Sequence, residues 1–148
     1  MSVKIVQGNL MEATEDIIGH QVNCMGVMGA GLAKLIKRDY PEVFMQYKQS
    51  CSNKGELLGH CQIISTQSEK YIANLFGQYG YGVQKRHTDY IALRGALSEL
   101  KSLAMKSEQS IALPYNIGCG LAGGDWDIVE QIIEEVFIDY DVTLYKFE

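Results

Sequence analysis

The sequence contains no long apolar run, no excess of basic residues and no signal-like N-terminus. None of its apolar segments approaches the ~20 residues that a membrane-spanning helix needs. Residues 1–7 alternate like a strand, whereas a secretory signal places a charged segment before an apolar one. The net charge is −5 and the pI about 5.2, so no basic stripe is expected to bind extended DNA or RNA. We therefore expect a cytoplasmic protein with neither a membrane surface nor an extended nucleic-acid surface.

Closely spaced cysteines and linker-like segments are missing as well. The four cysteines stand singly, without a CxxC pair or the dense spacing of a secreted disulfide scaffold. The three histidines are also isolated, so we expect free thiols, no metal and no cofactor. No Pro- or Ser-rich linker divides the 148 residues, 47% of which are hydrophobic. We expect a single domain, residues 1–148, that buries its own core.

Strand-like and helix-like segments alternate along the chain. Runs rich in β-branched and aromatic residues predict strands at residues 3–7, 17–22, 59–65, 70–76, 110–113 and 142–147. Helical periodicity predicts helices at residues 30–40, 41–51, 88–105 and 125–137. This alternation predicts an α/β fold, a three-layer α/β/α sandwich with a mixed six-stranded sheet.

The last two predicted helices each have an apolar face. The third helix is expected to begin at Thr88 as its N-cap. Its predicted core face consists of Ile91, Leu93, Leu97, Leu100 and Leu103. The corresponding face of the fourth helix consists of Ile128, Ile132, Ile133 and Val136.

Two glycine-rich turns, residues 26–31 and 118–124, lie about half the chain apart. Each follows a predicted strand and precedes a predicted helix. Such a junction presents unpaired backbone N–H groups at the positive end of a helix, which suits it to phosphate. Ligands of α/β sheets bind beyond the C-terminal strand ends, so both turns are expected at one edge. The leading ligand class is a nucleotide diphosphate.

Each turn also has a structural interpretation. Three glycines in the first turn are needed if the backbone adopts positive φ values, with or without a ligand. The second turn has four glycines in seven residues, more than a simple connection needs. Asp125 is interpreted as the cap of the helix that follows. Asn23, at the end of the second strand, has an amide that can bind a sugar hydroxyl.

Residues 80–90 are the remaining segment that is rich in polar residues. One interpretation is a flexible loop followed by a capped helix, with Asp89 favouring the positive helix end. The other is a lid in which Tyr79 or Tyr81 stacks on a base or ribose, while a group of polar residues acts on a terminal phosphate: Arg86, His87 and Asp89. We favour a lid for the loop and a structural role for Asp89.

Three motifs in this order resemble the macrodomain family of ADP-ribose-binding α/β/α modules. They are Gly8-Asn9-Leu10, Val22-Asn23 followed by Gly29-Ala30-Gly31-Leu32-Ala33, and Gly118-Cys119-Gly120-Leu121. The likeness covers nearly the whole chain and is greatest to the branch with terminal ADP-ribose glycohydrolases, DNA-de-ADP-ribosylating antitoxins and small ADP-ribose 1″-phosphate phosphatases. Some single-domain proteins of this kind are encoded by phages or prophages.

The resemblance implies a role for each matching residue. Asn9 stands where most macrodomains have an aspartate that accepts from the adenine amino group, and Leu10 and Ile117 imply apolar contacts. Asn23 and the first turn imply contacts to the distal ribose and one phosphate, from Gly29, Ala30, Gly31, Leu32 and Ala33. The second turn implies backbone contacts to the diphosphate, from Asn116, Ile117, Gly118, Cys119, Gly120, Leu121 and Ala122.

Two departures from the family pattern bear on mechanism. Lysine-dependent glycohydrolases have a lysine after the fourth strand, where this chain has Gln78, which cannot act as a nucleophile. Where a glycohydrolase has an aspartate after Gly-Cys-Gly-Leu, this chain has Ala122. The small phosphatases lack the lysine and have a histidine just before the first binding loop, which His20 matches. His20 and Asn23 are therefore the candidate catalytic residues, with a packing role as the alternative for His20.

Two functions remain open at this point. One is a hydrolase that removes phosphate, an acyl group or an ADP-ribosyl group from the distal ribose, without a catalytic lysine. The other is a module that binds ADP-ribose or a related nucleotide without turnover. A dinucleotide oxidoreductase is excluded because neither turn is a GxGxxG followed by an acidic residue about 20 positions later. The expected partner is ADP-ribose or an ADP-ribosylated substrate.

Overall fold

A mixed six-stranded sheet forms the centre of the molecule in a computed structural model that describes residues 2–52, 56–82 and 85–147. The strands are β1 (Val3–Gln7), β2 (Ile17–Val22), β3 (Cys61–Ser65), β4 (Tyr71–Phe76), β5 (Ile111–Pro114) and β6 (Val142–Lys146). Their order is β1-β6-β5-β2-β4-β3, and every neighbouring pair is parallel except β3 with β4. All six predicted strands are confirmed.

Helices cover both faces of this sheet. They are α1 (Gly31–Asp39), α2 (Pro41–Ser52), α3 (Tyr90–Ser107) and α4 (Trp126–Val136), with a 3₁₀ turn at Leu10–Glu12. Ile17 and Ile18 are both fully buried, yet Ile17 packs with residues of α3 and α4, and Ile18 with residues of α1 and α2. Successive strand residues point to opposite faces, so both faces must be covered. The predicted three-layer α/β/α sandwich is confirmed.

The start of α3 and three of the predicted core positions differ from expectation. Asp89, not Thr88, caps α3, because its Oδ1 accepts a hydrogen bond from the Ala92 N–H at 3.0 Å. Ile91 is 86% exposed, Ile128 is 41% exposed and Leu103 is 37% exposed. The other predicted positions of both faces are buried. Small residues that pattern analysis passed over, and one valine, occupy the core instead: Ala92, Ala96, Ala104 and Val129.

The sheet order brings both glycine-rich turns to one edge. β2 and β5 are adjacent and parallel, so the segments that follow them leave the sheet side by side. β4 is parallel to β2 on its other side, which puts Gln78 at the same edge. Of the helices within the described ranges, none is both long and apolar enough to cross a membrane.

Candidate ligand-binding cleft

A cleft of about 760 Å³ opens at this edge of the sheet. One wall is the turn after β2, the opposite wall is the turn after β5, and Gln78, Tyr81 and Gly82 line it from the segment after β4. No lysine, arginine, aspartate or glutamate is among the described residues that line the cleft. An anion bound here must therefore be held by backbone N–H groups and neutral side chains.

The turn after β5 leaves several backbone donors unpaired. Asn116 has φ +69° and Gly118 has φ +75°, both in the left-handed region. The Asn116, Gly118 and Gly120 carbonyls accept hydrogen bonds from within this segment. The N–H groups of Gly118, Gly120, Leu121 and Ala122, in contrast, make no hydrogen bond within the described residues. All four residues line the cleft.

The N-terminus of α1 supplies a second set of donors. Asp89 and Asp125 cap α3 and α4, whereas no side chain among the described residues caps α1. The N–H groups of Gly31, Leu32 and Ala33 have no partner there, and these residues line the opposite wall of the cleft. An uncapped helix N-terminus carries partial positive charge and favours an anion.

Asn23 holds the first turn together from within. Its Oδ1 accepts hydrogen bonds from the Met25 N–H at 3.0 Å and the Val27 N–H at 3.3 Å. Its Nδ2 donates to the Val27 carbonyl at 2.8 Å. An asparagine amide has two N–H donors. Asn23 is only 7% exposed but lines the cleft, so its second N–H is the donor that remains for a ligand.

His20 lies beneath the cleft with its tautomer fixed. Its Nε2 is 2.7 Å from Oδ1 of Asn74, and Nδ2 of Asn74 donates to Gln62. Because that oxygen can only accept, Nε2 of His20 carries the proton. Burial lowers the pKa of His20 to about 4, an effect that the bond with Asn74 partly offsets. Nδ1 is therefore an unprotonated, buried acceptor with no partner among the described residues.

A neutral hydrogen-bond network connects the three segments that form the cleft. Nε2 of Gln21 donates to Oε1 of Gln78 at 2.8 Å and to Oγ1 of Thr88 at 2.9 Å. Oγ1 of Thr88 donates in turn to the Gly118 carbonyl at 2.6 Å. The network therefore links β2, the segment after β4 and the second glycine turn, and Gln78 takes part in it as a neutral amide.

Comparison with known proteins assigns the chain to a family. The family model described as Macro domain matches residues 20–133. The chain belongs to the macrodomain family.

Relatives of this macrodomain include named hydrolases. A DNA ADP-ribosyl glycohydrolase of Mycobacterium tuberculosis is 30% identical over 144 residues, which cover 93% of this chain and 40% of that protein. An ADP-ribose 1″-phosphate phosphatase of Scheffersomyces stipitis is 24% identical over 95% of this chain and 98% of its own length. Among solved structures, the macrodomain of Mycobacterium tuberculosis DarG has a TM-score of 0.86 at 28% identity, covering 97% of this chain and 96% of that one. The chain thus spans about two fifths of the length of the glycohydrolase that it matches.

Most of the residues singled out from the sequence line the cleft of this macrodomain. The fold brings together the end of β2, the start of α1 and the second glycine turn. These residues are His20, Asn23, Gly29, Ala30, Gly31, Leu32, Ala33, Asn116, Ile117, Gly118, Gly120, Leu121 and Ala122.

Three predicted ligand-binding residues are not among those that line the cleft. Oδ1 of Asn9 accepts from the Met11 N–H at 3.0 Å and so caps the 3₁₀ turn. Leu10 is 5% exposed and packs in the core under α1 and α2. The Cys119 thiol donates to the Ile117 carbonyl, and burial, with the charge of Asp125, raises its pKa to about 11. A thiol in that state is not a nucleophile at neutral pH.

Within residues 80–90, the structure describes all but residues 83 and 84. Tyr81 and Gly82 line the cleft, whereas Tyr79 is 66% exposed and does not. The Arg86 guanidinium lies 4.5 Å from the Tyr90 ring centroid. The backbone of His87 and Thr88 bonds to the Ala122 carbonyl, which ties this segment to the second turn. A lid function for this segment stays a prediction.

Several cleft residues were missed by pattern analysis. Gln21 lines the cleft, and no local motif indicated its bond with Thr88, which is far away in the chain and does not line the cleft. Tyr115 lines the cleft, with Trp126 at 4.6 Å and the Lys146 ammonium at 4.9 Å from its ring. Its position between Pro114 and Asn116, at the end of a strand that precedes a glycine-rich turn, is the signal that points to it.

Proposed function

We propose that this macrodomain binds ADP-ribose derivatives in the cleft and hydrolyses the bond between the distal ribose and the group attached to it. The observation that carries the proposal is the pair of unpaired N–H sets, one at the start of α1 and one in the second turn, on facing walls. A diphosphate has anionic oxygens on both sides and no need for cationic side chains where backbone dipoles converge. The names of the matched relatives support the same ligand class.

In this proposal the ligand runs along the C-terminal edge of the sheet. The diphosphate contacts the N–H groups of the second turn, and one phosphate also contacts the start of α1. Asn23 donates its remaining N–H to the distal ribose. Oδ1 of Asn9 already accepts from the Met11 N–H, so a bond from the adenine amino group uses the second lone pair of that oxygen, and an uncharged amide oxygen gives a weaker bond than a carboxylate. Ile117, which lines the cleft, gives an apolar contact, whereas Leu10 packs in the core.

The proposed chemistry is attack by water, not by a side chain. For a phosphomonoester, the water oxygen forms a bond to phosphorus while the bond between phosphorus and the ribose oxygen breaks. The attacking water gives a proton to Nδ1 of His20 or to a phosphate oxygen, and the departing ribose oxygen takes up a proton from a second water or from the phosphate. The family resemblance implies that Gln78 stands where lysine-dependent glycohydrolases have their lysine, and the Gln78 amide takes part in the network with Gln21. No covalent enzyme intermediate is expected.

Binding without turnover is the alternative, and one observation favours it. His20 is only 2% exposed, and burial lowers its pKa to about 4, so its Nδ1 is available but weakly basic. An efficient general base has a pKa near the working pH.

The four free thiols support a reducing, cytoplasmic setting, and we propose that residues 1–148 act as one domain.

Calorimetry and turnover assays on the same preparation distinguish these functions. ADP-ribose should bind measurably and AMP much more weakly. Release of phosphate from ADP-ribose 1″-phosphate, or of ADP-ribose from a modified oligonucleotide or protein, would show hydrolysis. Binding without release would support the alternative, and absence of binding at millimolar ADP-ribose would contradict both. A covalent adduct trapped by borohydride would contradict the water mechanism.

A further inference from the structure

A buried phenol lies directly behind the first glycine turn. Tyr47, in the middle of α2, is 0% exposed, and its ring packs against Phe76 at 5.9 Å and Phe44 at 6.5 Å between centroids. Its hydroxyl lies 2.7 Å from Oδ1 of Asn23 and 2.8 Å from the Asn23 carbonyl oxygen. Tyr47 is not among the described residues that line the cleft. Its hydroxyl therefore contacts the turn and not the cleft.

The hydroxyl acts as a proton donor to Asn23. Burial, with the nearby Cys51 thiol, raises the pKa of Tyr47, so the phenol stays protonated at physiological pH. Both oxygens of Asn23 can only accept, so the single O–H proton is shared between them. One hydroxyl thus contacts both the side chain and the backbone of the turn.

This contact fixes which way the Asn23 amide faces. Oδ1 is held by the Tyr47 hydroxyl in addition to the Met25 and Val27 N–H groups. If the amide were flipped, its own N–H groups would face the three donors that now bond to Oδ1. Those buried donors would then be left unpaired. The remaining N–H of Asn23 consequently keeps one orientation. The aromatic ring alone would fill the space between Phe44 and Phe76 equally well, so packing does not account for the hydroxyl.

We propose that Tyr47 is a positioning residue of the cleft, whose hydroxyl orients Asn23 and the first turn toward the distal ribose. The inference rests on the proposed function, since that function assigns the distal ribose to Asn23. Tyr47 touches no ligand and acts only through Asn23 and the turn. The chemistry that it serves is recognition of a ribose beyond the diphosphate.

Tyr47→Phe tests the proposal because it removes the hydroxyl and keeps the ring. ADP-ribose binding should weaken by about tenfold, the scale of one buried hydrogen bond. ADP, which lacks the distal ribose, should bind Tyr47→Phe and wild type equally. In an Asn23→Ala background the same change should alter ADP-ribose affinity by about twofold at most, because coupled residues are not additive. Equal losses for ADP and ADP-ribose, or no loss, would overturn the assignment.

Tyr140→Phe is the matched control. The Tyr140 hydroxyl donates to the Gln109 carbonyl near the opposite edge of the sheet, where Val142 begins β6. Its removal also deletes a bond from a tyrosine hydroxyl to a carbonyl, in a partly buried position, and should leave both ligand affinities unchanged. Parallel effects of the two variants on ADP-ribose affinity would mean that Tyr47 serves only stability.

Amide hydrogen exchange in the ligand-free protein gives a readout that is independent of ADP-ribose. In Tyr47→Phe the Met25 and Val27 N–H groups should exchange about tenfold faster or more, and in Tyr140→Phe they should not change. Unchanged exchange in Tyr47→Phe would overturn the proposal. Wild-type protein that fails to bind ADP-ribose would contradict the proposed function, and the exchange rates would then decide the role of Tyr47.

Discussion

Burial determines what His20 can do. The ring donates through Nε2 to Asn74 and presents a free Nδ1 lone pair, and the low pKa of His20 keeps that lone pair available throughout the physiological range. His20 is therefore an acceptor or a weak base, and not an acid. Any acid that protonates a leaving group at neutral pH must come from water or from the substrate.

We predict that His20 makes stability depend on pH. Its pKa is about 4 in the folded protein and near 6.5 in the unfolded chain, so the unfolded chain binds the proton first as pH falls. The stability present above pH 6.5 is then lost as pH falls toward about 4. Between pH 7 and pH 5 the loss should reach about 2 kcal/mol. Urea unfolding at both pH values should show this loss in wild type but not in His20→Gln. If wild type and His20→Gln lose the same free energy of unfolding between pH 7 and pH 5, burial does not hold His20 neutral.

Residues whose partners are distant in the chain were the ones that the sequence could not specify. The glycines of both turns could be recognised from the sequence, because a left-handed backbone conformation and the close approach of a ligand to the main chain both favour glycine. Tyr47 and Thr88 carry no such local signal. Their spacing fits helix packing and helix capping, whereas their hydroxyls bond to Asn23 and Gly118 across the fold.

The glycines of the second turn differ in what a side chain would meet. A Cβ on Gly120 would have no atom within 4 Å, whereas one on Gly124 would lie 2.6 Å from the Gly118 carbonyl oxygen. We predict that Gly120→Glu folds like wild type and abolishes ADP-ribose binding, because it puts a negative charge beside the unpaired N–H groups. Gly124→Ala should instead lower the melting temperature. If folded Gly120→Glu binds ADP-ribose with unchanged affinity, the ligand must bind at another site.

The Thr88 network holds the second turn as Tyr47 holds the first. We predict that Thr88→Val, which keeps the shape but removes the hydroxyl, lowers unfolding free energy by about 1–3 kcal/mol and weakens ADP-ribose binding. Thr66→Val is the control, since Oγ1 of Thr66 donates to the Lys70 carbonyl at 2.6 Å, at the opposite edge. It should lose stability without losing affinity. Similar affinities for both variants would assign the Thr88 network to stability alone.

The positions of the helices and strands were easier to predict than which of their side chains face the core. All six strands and four helices were expected within about two residues, because β-branched runs and helical periodicity are local signals. The apolar face of α3 was misjudged because Ala92, Ala96 and Ala104 pack against the sheet, which leaves Ile91 outside. Alanine has weak hydrophobic character in a pattern but allows close helix–sheet approach. The 3₁₀ turn at Leu10–Glu12 was too short to register.

The whole molecule carries a net charge of −5, yet its cleft is shaped for an anion. The charge lies on residues other than those described as lining the cleft, and the lining offers backbone dipoles from two turns. Such dipoles are fixed by the fold, so ligand binding should be coupled to global stability. In the proposed function the ligand binds only the folded arrangement of β2, β5 and α1, which the unfolded chain lacks.

We predict that ADP-ribose raises the melting temperature of the protein. A ligand at a hundred times its Kd that binds only the folded state stabilises it by about 2.7 kcal/mol. For a chain of this length that corresponds to about 5–10 °C. AMP at the same concentration should shift the transition much less, because it reaches only one part of the cleft, and Gly120→Glu should show no shift with either ligand. A thermal scan in which ADP-ribose moves wild type and Gly120→Glu equally would mean that the stabilisation does not arise in this cleft, and that the two facing sets of N–H groups are not its cause.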